Sequence, residues 1–147
     1  MQRYLVVADR AVGGRELKDF VRSRDDVGRS SLYLVVPTTP DTRRLTWEET
    51  EAHLVARRRL ADGLEWMREI DPDAGGEVGD VDPMLAIEDA LRGMRYDSIV
   101  LAMRERPSRR RINVAARVRQ WFDLPVVDVL DGSSVFQAPA QVMRQTA

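Results

Sequence analysis

Four short apolar runs recur along the chain with amphipathic stretches between them, and this alternation restricts the fold more than any other feature. They are residues 4–8 (Tyr-Leu-Val-Val-Ala), 32–36 (Leu-Tyr-Leu-Val-Val), 98–102 (Ser-Ile-Val-Leu-Ala) and 125–130 (Pro-Val-Val-Asp-Val-Leu). Runs this short, rich in β-branched residues and without polar alternation, read as strands covered on both faces, as in a parallel sheet. The covering helices are legible between them. Leu17, Phe20 and Val21 share one face of a first helix. Ala56, Leu60, Leu64 and Met67 share one face of a second, predicted over residues 47–70, with Thr46 and Glu49 spaced as a capping box. Met84, Ile87, Leu91 and Met94 stripe a third, with Asp82 at the N-cap and Pro83 at the first helical position. Val114, Ala115, Val118, Trp121 and Phe122 stripe a fourth, predicted to begin near Ser108.

Strand and helix in alternation define an α/β fold, a single doubly wound parallel sheet with about four helices. A fifth strand is placed at residues 75–79 on the sheet edge, although Val78 is the one good strand former there. Right-handed crossovers then give the strand order 3-2-1-4-5, with ligands expected at the carboxyl ends of the strands, near Asp9, Val36 and Ala102. The expected domain is residues 1–130, followed by a tail, 131–147, that is mobile or associated with a dimer.

The residue inventory excludes several chemistries. With no cysteine there is no disulfide, thiolate zinc site or thiol nucleophile. The single histidine, His53, is expected as a half-buried structural residue on the stripe of the second helix, so no metal site of several histidines can form. Neither GxGxxG nor GxxxxGK[ST] occurs, and no catalytic constellation of residues is found. The early apolar run is far too short for a signal-peptide core or a membrane span, so a cytoplasmic protein with no membrane association is expected. Net charge is −1, but charge is unevenly distributed. Residues 62–89 hold ten carboxylates against Arg68, while residues 104–119 hold seven arginines against Glu105. The arginine loop lacks neighbouring aromatic residues on which bases would stack, which argues against nucleic acid as a partner.

Three segments together resemble the universal stress protein family. Residues 3–17 form a strand ending in Asp9 and then a small-residue turn, similar to the family's opening strand with its adenine-facing aspartate. Residues 79–87 and 96–102 resemble the family's glycine, helix and Asp-x-Ile-Val strand. Residues 123–127 (Asp-Leu-Pro-Val-Val) resemble its closing strand. The resemblance implies the adenine nucleotide alpha hydrolase-like fold, a stress-response role, ATP as the cofactor of those members that bind one, and a homodimer through the last strand, here residues 125–130 with Val126, Val127 and Val129.

ATP-binding members carry G-x2-G-x9-G-[ST] after the fourth strand. The same spacing falls here on Ala102, Glu105, Ala115 and Ala116, so the register is kept and every signature residue is replaced. Glycine lets main-chain amides approach phosphate, whereas a side chain forced into a left-handed turn costs about 1–2 kcal/mol. Glu105 adds a like charge. The reading is therefore a non-enzymatic regulatory or interaction domain with family-style ATP binding weak or lost. The alternative is a phosphate-containing small ligand held by the arginine loop, with Asp9, Val36, Arg104, Arg106 and Ser108 around it.

Overall fold

The computed structural model describes residues 1–38, 49–104 and 114–130. Strands β1 (Gln2–Ala8), β2 (Ser30–Pro37), β3 (Gly75–Gly79), β4 (Ser98–Ala102) and β5 (Val126–Asp128) alternate with helices α1 (Arg15–Val27), α2 (Glu49–Met67), α3 (Pro83–Gly93) and α4 (Val114–Trp121). All pairings are parallel, and the sheet order is β3-β2-β1-β4-β5. The order predicted from the alternation is thus the order found.

The period-two alternation of strand side chains divides the core. Tyr4, Val6, Ala8, Leu32, Leu34, Val36, Val100 and Ala102 pack with α1 and α2 through Leu17, Val21, Leu64 and Met67. Leu5, Val7, Val35, Ile99 and Leu101 pack with α3 and α4 through Met84, Ile87 and Val118. Each fully buried Val or Leu contributes about 1.5–3 kcal/mol, which explains why the central strands carry apolar residues on both faces.

β3 forms despite its composition because its glycines admit the neighbouring elements. A Cβ on Gly76 would overlap the Leu34 carbonyl oxygen and come within 2.7 Å of Leu60 Cδ1 on α2. One on Gly79 would lie 2.6 Å from Ala86 Cβ on α3. Low strand propensity at this edge is therefore a packing requirement of both helical layers.

The N-terminus of α3 follows the sequence reading: the Asp82 side chain accepts from Met84 N at 2.9 Å, with Pro83 at the first helical position. Three other assignments are corrected. His53 is exposed, because the inward stripe of α2 runs through Ala52, Ala56 and Met67 and the histidine lies about 100° around the helix from Ala52. Trp121 is 71% exposed; Phe122, one residue on, turns inward instead. Met94 is also exposed, since the chain has already left α3 for an extended conformation there. The proposed capping residue Thr46, the region around Ser108 and the tail 131–147 lie outside the described residues.

The three tyrosines share one electrostatic property. Tyr33 donates its hydroxyl hydrogen bond to Glu77 Oε1 at 2.6 Å, and its ring centroid lies 6.2 Å from that of Tyr96. Burial first, and then the Glu77 carboxylate, push the Tyr33 phenol above its ordinary range. Burial likewise raises Tyr4 and Tyr96. A raised folded-state value favours the neutral phenol in the native protein. Its stabilising contribution is therefore complete below the unfolded value of 10.0 and is lost as pH climbs from there through the folded value. The melting temperature should hold level through neutral pH and fall once pH passes the ordinary tyrosine value, with phenolate absorbance appearing only as the protein unfolds. Phenolate growing in at the ordinary value, with no loss of melting temperature, would contradict this.

Candidate functional site

In an open α/β sheet, ligands gather where consecutive connections leave in opposite directions, here between β1 and β4. Ala8 pairs with Ala102 across that boundary, and Val36 lies at the end of β2 on the other side of β1. Val36, Asp9 and Ala102 are all fully buried. The three strand-end residues inferred from sequence are thus brought to one edge of the sheet.

Asp9 does structural work at that edge. The chain leaves β1 in a 3₁₀ turn, Arg10–Gly13, which sequence reasoning did not anticipate. Asp9 caps this turn, its Oδ1 accepting from Ala11 N at 3.0 Å. The same oxygen accepts from Arg104 N at 3.0 Å, just past the end of β4. Asp9 N in turn donates to Ala102 O at 3.3 Å. One buried carboxylate thereby ties together the two strands that flank the switch point.

The 3₁₀ turn is also held from the α2 side. Trp66 Nε1 donates to Val12 O at 3.0 Å in a buried hydrogen bond. A Cβ on Gly63 would meet Val12 Cγ2 at 2.6 Å and Leu34 Cδ2 at 2.5 Å, so this mid-helix glycine allows α2 to seat against the turn. An isolated glycine in a helical pattern often marks such close packing, and that was the available sequence signal. Nothing in the sequence pointed to the Trp66 bond.

Arg104 carries its guanidinium toward α1, where Nη2 lies 3.5 Å from Glu16 Oε2. Both side chains are about half exposed, so the pair stabilises the fold by no more than about 1 kcal/mol. The carboxylate matters more for its sign, because it stands beside the cation a phosphate would seek. Ala115 is buried against the α3 side of the core, and Ala116, the next residue of α4, is exposed. Arg106, Ser108 and Glu105 lie outside the described residues. Among the described residues no group of three His, Cys, Asp or Glu could hold a metal ion, and no helix is long and apolar enough to cross a membrane.

The chain forms a doubly wound, five-stranded parallel sheet in the order β3-β2-β1-β4-β5, an α/β architecture that it shares with a solved universal stress protein structure. The structure is similar to a crystal structure of a protein from the universal stress protein family from Burkholderia pseudomallei, with a TM-score of 0.55 over 86% of this chain and 94% of that one. Identity between the two is 20%, so the likeness is one of fold. The sequence matches no family model and no curated protein.

Proposed function

We propose that the chain is a divergent universal-stress-protein-like domain that acts without catalysis, in regulation or protein interaction, and has lost the family's mode of ATP binding. The observation that carries this reading is the commitment of Asp9. Its carboxylate is fully buried and its Oδ1 accepts from two main-chain amides, so the group serves the junction of β1 with β4 whether or not a ligand is bound. The glycines replaced at Ala102, Glu105 and Ala115, the hydroxyl residue replaced at Ala116, and the carboxylates of Glu16 and Glu105 act in the same direction. A triphosphate needs close amide approach and positive surroundings; this edge offers side chains with Cβ atoms and mixed charge.

Freshly purified protein tests the first consequence directly. Its ultraviolet spectrum should show the protein band alone, whereas a co-purifying nucleotide band would count against the proposal. The second reading, a phosphate-containing ligand at Arg104 together with Arg106 and Ser108, draws support from the position of Arg104 at the carboxyl end of β4. It requires inorganic pyrophosphate or ATP to raise the melting temperature in a manner abolished by Arg104→Ala.

The same reading includes a homodimer through residues 125–130. β5 is the last strand of the sheet, next to β4, and the family resemblance supplies the mode of pairing. Light scattering should return twice the chain mass, and Val126→Pro should halve it by blocking the amide that faces away from β4. An unaltered dimer in that variant would place the contact elsewhere.

A further inference from the structure

We propose that the outer edge of β3 docks an extended segment of another protein in which arginine or lysine alternates with apolar residues. This surface lies on the opposite edge of the sheet from β5 and does not depend on nucleotide binding at the switch point.

The first support is main-chain geometry. Thr38 N donates to Gly79 O at 3.1 Å, and amide directions alternate along a parallel ladder. Gly75, Glu77 and Gly79 therefore address β2, while the amide and carbonyl of Gly76 and Val78 point away from the sheet. Among the described residues none hydrogen-bonds to these outward groups. Natural edge strands are usually protected by proline, lysine or a bulge. β3 has none of the three, and its one charged residue, Glu77, holds the Tyr33 hydroxyl.

The second support is what borders the edge. Val81, in the turn that leaves β3, and Leu85, in the first turn of α3, are 45% and 46% exposed, apolar surface near the strand's end that an added strand would cover. Asp73 and Asp80 flank the strand at its two ends and are exposed, as is Glu69 on the turn that leads to it. Arg68, the one cation of residues 62–89, directs its Nε to Ala74 O at 3.0 Å. Two copies of this edge would set like charges opposite one another, which is destabilising across paired strands. An incoming strand with cationic side chains finds complementary charge and main-chain partners together, the usual mode of β-augmentation.

Titration of the full chain with an acetylated, amidated peptide of alternating arginine and valine, followed by amide NMR, tests this. Shifts should concentrate at residues 76–81, with hydrogen exchange of the Gly76 and Val78 amides slowed. A glutamate-for-arginine peptide should not bind, nor should an arginine–valine peptide with a central proline. Asp73→Asn with Asp80→Asn keeps both side chains as acceptors and should weaken binding about tenfold, as expected for losing two favourable charge pairs. Absence of binding, shifts spread over α2 and α3 without residues 76–79, or equal binding of the proline peptide would each overturn the proposal.

Discussion

Gly76→Val is expected to destabilise the protein by about 3 kcal/mol or more, a large share of the roughly 5–15 kcal/mol that holds a domain of this size together. The first added carbon already overlaps the Leu34 carbonyl, a main-chain atom of the adjacent strand that cannot rotate away, and closes on Leu60 of α2. Thermal melting should therefore fall by about 6 °C or more, given roughly 2–4 °C per kcal/mol at this chain length. The neighbouring residue is the control. A Cβ on Gly75 meets the Tyr33 ring at 3.6 Å, an ordinary contact, so Gly75→Ala should stay near the native melting temperature. Equal effects at the two positions would show that strand propensity, and not the close approach of β2 and α2, explains the glycines of β3.

The second large effect is expected at Asp9. Removing its carboxylate in Asp9→Ala leaves the buried Ala11 amide and the Arg104 amide without their shared acceptor. Each amide left without a partner costs about 1–3 kcal/mol, so a total of about 2–6 kcal/mol follows. Asp9→Asn retains an acceptor oxygen and should lose much less. Denaturant unfolding of the ligand-free protein checks both. An aspartate present only to read a ligand would leave the stability of the free protein almost unchanged, and that outcome would remove the structural role argued for it.

The contrast between these two positions also explains what the sequence made legible. Asp9 could be placed by its position after the first apolar run, and the parallel sheet followed from runs such as residues 98–102, whose every side chain is buried. The strand order needed only the alternation of elements and the handedness of crossovers. The role of Asp9 was not readable, because its bond to Arg104 spans 95 residues of sequence. The Arg104–Glu16 pair, separated by 88 residues, was hidden for the same reason. β3 was the weakest assignment, since its glycines answer to packing from both sides and not to local preference. His53 was misplaced by a different cause: helical spacing fixes which residues share a stripe, but the stripe's centre is set by what the helix packs against. Trp121 shows the same limit, one residue out of phase with Phe122.

The proposed loss of family-style ATP binding requires the switch-point edge to be closed to triphosphate by its side chains. The most direct measurement is a thermal-shift titration with magnesium ATP on the native chain and on a variant carrying Ala102→Gly, Glu105→Gly, Ala115→Gly and Ala116→Ser together. A ligand at about 1,000 times its Kd stabilises by about 4.1 kcal/mol, a rise of at least roughly 8 °C at this chain length. The native chain should shift by less than about 1 °C under conditions that would produce that rise at micromolar affinity, and the four-residue variant should gain a saturable shift. A large, saturable rise in the native chain would contradict the account.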